Sequence, residues 1–197
     1  MDWIDLFPTS ILNEEIKDSK LSLYKEFILK SKLHDFKRDG YYTEEQDILD
    51  VPLFSSLKEI IIQKSLFYLN EIGHGIKNVS IINSWGNNIK KDQHIPMHDH
   101  CNSYLSGCFY ITGGSSIEFH NPLLEKYLFQ LDWFNYADNP RAYKNFHLNP
   151  FPGLLLIWPS WLNHKVTTST EDVDRISLAF NVMPKGLIGR KTGQINL

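Results

Sequence analysis

Three of the eight histidines in this 197-residue chain have a spacing that suits metal binding. His98 and His100 are one residue apart, and residues two positions apart on an extended strand project to the same face. His164 comes much later and opens a second strand-like segment. A pair of imidazoles from one strand and a third from a distant strand can meet at one ion while leaving some of its coordination positions open. The spacing therefore predicts a three-histidine metal site.

An arginine with a hydroxyl neighbour follows the last of these histidines. Arg175 is eleven residues beyond His164, and Arg175, Ser177, Ala179 and Asn181 alternate along one face of a predicted strand. A guanidinium pairs with a carboxylate through two parallel hydrogen bonds, and the Ser177 hydroxyl can add another. A dicarboxylate that chelates a metal at one end needs such a partner at the other, as in non-heme Fe(II) oxygenases. These residues predict an oxoacid pocket beside the metal.

Four further side chains are candidates for this pocket. Tyr110 is the best candidate for a second cosubstrate contact, because its hydroxyl could reach an oxoacid carboxylate. Asn83, Trp85 and Asn102 lie on or beside strands that flank the predicted ligands, so we expect them near the pocket wall. The remaining histidines are interpreted as structural or solvent-facing: His34, His74, His94, His120 and His147.

The predicted elements place these residues in a mainly β domain with N-terminal helices, an α+β class. Apolar residues recur with a helical period over Asn13–Leu33 and Leu53–Ile72. Short strands separated by turns follow, which indicates a sandwich, jelly roll or barrel. The predicted strands are Val79–Trp85, His98–Cys101, Tyr104–Ile111, Ser116–Phe119, Leu154–Trp158, His164–Thr167 and Ile176–Val182. We expect one domain over 1–197, with 1–77 as helical support and 78–197 as the β core.

A long aromatic connection interrupts the β core. It runs from Asn121 to Pro152 and holds eight Phe, Tyr and Trp residues, and so long a connection is unusual for a compact β domain. Two interpretations stay open: a lid or wall of the pocket, or an insertion that packs a small core of its own.

The composition excludes several classes of protein. The chain has 20 basic and 23 acidic residues, a net charge of −3, which does not favour a nucleic-acid partner. Its two cysteines, Cys101 and Cys108, cannot form a disulfide framework or a four-thiolate zinc site. The sequence has neither a secretory signal pattern nor the roughly 20 apolar residues of a membrane helix. We therefore expect a cytoplasmic protein with free thiols and no membrane partner.

Four segments resemble the 2-oxoglutarate/Fe(II)-dependent oxygenases of phages and bacteria, a prolyl-hydroxylase-like branch with a His-x-His pair. They are the opening Leu6–Ile11, the run from His98 to Tyr110, the Ser-Trp-Leu-Asn-His segment within Pro159–Val166, and the Arg-Ile-Ser strand within Asp174–Asn181. The last two segments are the most specific. Together the four segments span nearly the whole chain.

The resemblance implies a double-stranded β-helix, also called a jelly roll, with the N-terminal helices packed outside one sheet. It implies Fe(II) held by His98, His100 and His164, and 2-oxoglutarate held by Arg175 with Ser177. The implied activity is oxygenation, in the form of hydroxylation, of a substrate that the sequence does not identify. For a phage-encoded protein, the implied compartment is the host cytoplasm.

One position departs from the wider superfamily, which has a carboxylate where this chain has His100. Three neutral imidazoles leave the site one charge unit more positive than two imidazoles and a carboxylate. Asp99 would need a β-bulge to turn inward and replace His100, and Glu118 is a weaker alternative. We keep His100, because the His-x-His branch has histidine there.

Two other functions stay open at this point. A cupin-like three-histidine dioxygenase would use no 2-oxoglutarate and would not need Arg175 or Ser177. A non-catalytic jelly-roll module could instead bind sugar or peptide with its aromatic segment. For the main hypothesis we expect a small-molecule or peptide substrate, and homodimer formation is left open.

Overall fold

A computed structural model describes residues 8–123, 144–170 and 172–197. Within these ranges the chain forms two α-helices and thirteen strands. The helices are α1 (Leu21–Lys30) and α2 (Ser55–Glu71). The strands are β1 (Leu12–Glu15), β2 (Leu33–Asp35), β3 (Tyr41–Thr43), β4 (Val79–Ile89), β5 (Ile95–His98), β6 (Leu105–Tyr110), β7 (Ile117–His120), β8 (Asn145–Leu148), β9 (Leu154–Pro159), β10 (His164–Val166), β11 (Arg175–Pro184), β12 (Leu187–Ile188) and β13 (Ile195–Asn196).

Two antiparallel sheets build the domain. The larger sheet has the strand order β1-β9-β6-β11-β4-β3-β2, and the smaller sheet has the order β5-β10-β7-β8. Strands β12 and β13 form a separate pair near the C-terminus. The prediction of a mainly β domain with N-terminal helices is confirmed.

The two faces of the larger sheet pack against different parts of the fold, because successive side chains along each strand point to opposite faces. On β11, Ile176, Leu178 and Phe180 pack into a large apolar core that includes buried residues of both helices. Helix α1 comes so close to β4 that a Cβ at Gly86 would lie 2.8 Å from the Ile28 side chain. The strand residues between these apolar positions turn to the opposite face, which carries a second, smaller apolar cluster and a cavity.

The predicted bounds of the first helix are wrong at both ends. The segment predicted as one helix over Asn13–Leu33 consists of most of β1, a turn, α1 and the first residue of β2. Asp18 fixes the turn between β1 and α1, because its carboxylate accepts hydrogen bonds from the backbone N–H of Lys20 and the hydroxyl of Tyr24. Strands β1, β2 and β3 then extend the larger sheet, so the first 77 residues supply more than helices. The second predicted helix is confirmed as α2.

Two predictions about the β core also need correction. The strand predicted over His98–Cys101 is shifted, because β5 ends at His98. The predicted connection from 121 to 152 contains strand β8, which pairs with β7. Residues 124–143 lie outside the described ranges, so the lid interpretation stays a prediction. In the described part of the chain, neither helix is long and apolar enough to cross a membrane.

Candidate metal and oxoacid site

Three imidazoles meet at one end of the cavity between the sheets. His98 ends β5 and lies directly opposite His164, the first residue of β10, in the antiparallel register. His100 lies two residues beyond the end of β5. One potential ligand nitrogen from each of the three lies within 4.8 Å of the others. The structure therefore brings together the three histidines singled out by their spacing, although His100 arrives from a loop and not from the strand.

Backbone carbonyls orient two of these rings. His98 Nδ1 lies 2.8 Å from the Pro96 carbonyl oxygen, and His164 Nδ1 lies 2.9 Å from the Leu162 carbonyl oxygen. Because a carbonyl only accepts, each Nδ1–H is the donor and each Nε2 keeps its lone pair. This tautomer and the backbone contact are typical of histidines that bind a metal.

The surroundings keep two of the imidazoles uncharged. Burial lowers the pKa of His164 to about 3 and that of His100 to about 4, and the nearby His98 adds to both effects. Metal binding requires the neutral form, so no proton has to be removed from these rings at neutral pH. Three imidazoles form a donor set that suits iron and also zinc, copper or nickel.

Ser160 ties the loop that carries His100 to the rest of the fold. Its carbonyl accepts a 3.0 Å hydrogen bond from the His100 backbone N–H, and its own N–H donates to the Tyr104 carbonyl at 3.1 Å. Its hydroxyl bonds the hydroxyls of Ser103 at 2.8 Å and Ser106 at 2.9 Å. Sequence reasoning missed this network, because its members come from separate segments and share no motif.

A buried arginine occupies the other end of the cavity. Arg175 is 1% exposed, and it donates hydrogen bonds to the Ser115 carbonyl at 3.1 Å, the Ser177 hydroxyl at 3.3 Å and the Tyr110 hydroxyl at 3.2 Å. Among the described residues no carboxylate forms an ion pair with it. Gly114 allows this packing, since a Cβ there would lie 2.9 Å from Arg175 Cβ. Burying an unpaired guanidinium is costly, so the arrangement favours an anionic ligand.

The neighbours of the arginine are neutral hydrogen-bonding groups. Burial raises the pKa of Tyr110 above its usual range, and burial also raises the pKa of the Cys108 thiol. Asn87 lies 3.4 Å from the Ser177 hydroxyl through its Nδ2, and its Oδ1 accepts a 3.0 Å bond from Trp85 Nε1. Sequence reasoning missed Asn87, although strand alternation from Trp85 and Asn83 identifies it as a residue on the same face.

One open cavity of about 450 Å³ connects the two ends. Its walls include His98, His100, His164, Arg175, Ser177, Trp85, Asn87 and Cys108. Tyr110 is absent from the cavity wall and reaches the site through Arg175. Asn83 and Asn102 do not line the cavity, and Asn102 is exposed in a turn with a φ of +57°. His34, interpreted from the sequence as structural or solvent-facing, lines the cavity mouth.

The two alternative carboxylates lie outside the histidine group. Asp99 is exposed, and it is not part of the group of ligand atoms. Glu118 is buried, but its carboxylate lies 3.0 Å from Lys165 Nζ, while its strand neighbour Phe119 packs against His164. Because neighbouring strand residues face opposite ways, Glu118 points away from the histidines.

Comparison with known proteins agrees with this geometry. Residues 83–181, half of the chain, match the model of a family described as "Putative 2OG-Fe(II) oxygenase", and the chain belongs to this family. Comparison with curated protein sequences gives no match. The protein is thus a 2-oxoglutarate- and Fe(II)-dependent oxygenase, with Fe(II) and 2-oxoglutarate as its cofactors.

Solved structures of low sequence identity share the fold. HygX from Streptomyces hygroscopicus, with nickel, 2-oxoglutarate and hygromycin B bound, is 14% identical with a TM-score of 0.62, covering 89% of this chain and 83% of its own. A Pseudomonas putida prolyl-4-hydroxylase is 12% identical with a TM-score of 0.63, covering 90% and 94%. A viral collagen prolyl hydroxylase from Paramecium Bursaria Chlorella virus-1 is 14% identical with a TM-score of 0.58, covering 87% and 94%. The double-stranded β-helix prediction is confirmed.

Proposed function

We propose that His98, His100 and His164 hold Fe(II) in this oxygenase and that Arg175, with Ser177 and Tyr110, holds the far carboxylate of 2-oxoglutarate. One observation carries the proposal. The guanidinium of Arg175 is buried without a carboxylate partner among the described residues, and it lines the same cavity as three imidazoles. A metal-chelating dicarboxylate connects two such ends, which explains why the arginine and the histidines share one cavity.

Each group of the chain then has a defined task. When bound, Fe(II) and 2-oxoglutarate supply the oxidising chemistry, in which O₂ is consumed, 2-oxoglutarate yields succinate and CO₂, and a substrate C–H bond becomes C–OH. The carbonyls of Pro96 and Leu162 hold the imidazole rings in one tautomer. Arg175 neutralises the dicarboxylate, and the Ser177 and Tyr110 hydroxyls orient the guanidinium.

The finer assignments are part of the same proposal. We propose hydroxylation of a small molecule or peptide, with no nucleic acid or membrane as partner, in the reducing cytoplasm of a bacterial or phage-infected cell. The net charge of −3 and the two free cysteines support this assignment. A reducing compartment also keeps iron in the ferrous form that the enzyme requires.

Anaerobic titration tests the proposal. Fe(II) and 2-oxoglutarate added to the purified protein should give a weak visible charge-transfer band, and Arg175→Ala should remove the band at 2-oxoglutarate concentrations that saturate the unaltered protein. Arg190→Ala is the matched control, because Arg190 is an exposed arginine outside the cavity. If Arg175→Ala binds 2-oxoglutarate as well as the unaltered protein does, the cosubstrate assignment is wrong.

A further inference from the structure

The mouth of the cavity is walled by aromatic side chains that neither proposed cofactor uses. We define the outer wall as His34, Phe36, Asp39, Tyr42 and Trp85, all of which line the cavity. The first four come from β2, β3 and the turn that joins them, and Trp85 comes from β4. Trp85 connects the outer wall to the metal end, because its ring centroid lies 5.9 Å from that of His100.

The rings of the outer wall form a corner. The centroids of Phe36 and Tyr42 are 5.1 Å apart with an interplanar angle of 81°, and those of His34 and Phe36 are 6.0 Å apart at 64°. Phe36 is 53% exposed, which is high for a phenylalanine at the mouth of a cavity. Two nearly perpendicular rings present faces and edges to a ligand in the corner, and the exposed Phe36 ring gains burial when that ligand binds.

The outer wall has one carboxylate and no lysine or arginine. Asp39 contributes a carboxylate, and the described residues that line the cavity include no lysine and no arginine besides Arg175 at the far end. The His94 imidazole lies 4.0 Å from the Asp39 carboxylate, outside the cavity lining. Burial and the Asp39 charge raise the pKa of Tyr42 to about 12, so its ring stays uncharged. The wall therefore offers π faces and one negative charge.

The turn that carries Asp39 is fixed against the residues that precede β5. The His94 backbone N–H donates a 2.9 Å hydrogen bond to the Arg38 carbonyl, and Gln93 Nε2 donates a 2.6 Å bond to the Lys37 carbonyl. The Tyr42 hydroxyl donates to the Asp39 carbonyl at 2.8 Å. Strand β5 begins one residue after His94 and leads directly to the proposed ligand His98. These bonds thus tie the turn of the outer wall to the start of the strand that carries His98.

We propose that the outer wall is the substrate site and that it selects an organic cation, an alkylammonium group that packs against the Phe36 and Tyr42 rings and that Asp39 neutralises. This inference rests on the proposed function, because the metal position defines which end of the cavity the substrate occupies. Aromatic faces attract cations through the ring quadrupole, and a nearby carboxylate adds a direct charge partner. Asp39 would repel an anionic substrate at this mouth.

Three probes with the same branched head and different charge test the inference. Choline, 3,3-dimethylbutan-1-ol and 3,3-dimethylbutanoate share a branched head and carry a positive, a zero and a negative charge. Calorimetric titration is made on the metal-free protein and on its anaerobic complex with Fe(II) and 2-oxoglutarate. We expect choline to bind about tenfold or more tighter than the neutral alcohol, as a cation–π and carboxylate site implies, and the carboxylate probe not to bind. Equal binding of choline and the alcohol, or no binding of choline, would overturn the inference.

Two variants test which side chains produce the preference for choline over the neutral alcohol. Asp39→Asn should reduce the ratio of choline affinity to alcohol affinity by about threefold or more, since it removes a charge but keeps the shape. Phe36→Leu should weaken choline more than the alcohol. Asp172→Asn is the control, because Asp172 is exposed and does not line the cavity. If Asp39→Asn leaves the ratio unchanged, the carboxylate does not select the substrate.

The two proposals fail in different ways. Loss of the Fe(II) and 2-oxoglutarate band in the unaltered protein would contradict the proposed function, whatever the probes do. Retention of the band without preference for choline would contradict the cation site alone. The titration of the metal-free protein measures binding of the probes without any contribution from turnover.

Discussion

The two ends of the cavity differ in their chemical groups and in the charge of the ligand that each can bind. The histidine end consists of imidazole rings at the end of β5, on the loop after it and at the start of β10, and backbone carbonyls orient two of them. The arginine end is one cation, fully buried at the start of β11 and surrounded by hydroxyls. A bound metal cation needs donor atoms with free lone pairs, and a bound anion needs an unpaired positive charge. The cavity therefore contains two complementary sites that one chelating dicarboxylate can join.

The largest expected effect is the loss of metal when the histidine end is broken. His164→Ala removes the ligand that lies opposite His98 across the paired strands, so we expect Co(II) or Fe(II) binding to fall below detection in calorimetric titration. His147→Ala is the matched control, because His147 is an exposed β-strand histidine outside the cavity. Retention of full metal affinity by His164→Ala would move the metal site elsewhere.

The second effect should affect the cosubstrate and leave the metal in place. Arg175→Ala should weaken 2-oxoglutarate binding by about 30-fold or more, the scale of losing one member of a buried charge pair, with metal affinity changed by less than about twofold because other side chains bind the ion. Arg175→Lys should recover only part of the binding, because an ammonium cannot form the bidentate contact. Equal losses of metal and 2-oxoglutarate in Arg175→Ala would show that the two ends are not separate sites.

The arginine end was largely predictable from the sequence, and the histidine end was predictable in its members but not in its geometry. Side chains alternate along β11, so Arg175 and Ser177 lie on one face. This alternation can be predicted from consecutive residues of a single strand. His100 was predicted on a strand and lies on a loop. The contact that holds that loop, through Ser160, joins segments about 60 residues apart, and no local pattern encodes it.

The N-terminal strands also depend on long-range contacts that no local sequence pattern encodes. Residues 13–15 of β1 were predicted as helix because Ile16, which follows them, and the apolar residues of α1 fit one helical period, yet pairing with β9 overrides that local preference. The outer wall of the cavity depends on β2 and β3, so the substrate end could not be identified from the sequence. Family resemblance supplied the cofactors but not the aromatic corner.

A third, smaller effect tests how the loop holds His100. Ser160→Ala removes the hydroxyl bonded to Ser103 and Ser106 but keeps the backbone bond to His100, so we expect metal affinity to fall about tenfold, the lower range for residues that orient metal ligands. The affinity for 2-oxoglutarate, measured at saturating metal, should stay nearly unchanged. Ser22→Ala, on the exposed side of α1, is the control. An equal loss of both affinities would indicate a general loss of structure.

The smallest effect concerns a hydroxyl that orients the arginine without lining the cavity. Tyr110→Phe keeps the buried ring and removes the acceptor for Arg175 Nη2, so we expect 2-oxoglutarate affinity to fall about threefold to tenfold, the range of one hydrogen bond at roughly 0.5–1.5 kcal/mol. Metal affinity should be unchanged. Tyr24→Phe is a matched control, since Tyr24 is a buried tyrosine of the helix-side core with a hydroxyl bonded to Asp18. A loss in Tyr110→Phe as large as in Arg175→Ala would mean that the hydroxyl binds the dicarboxylate directly, and the two ends of the cavity would then differ less than their charges imply.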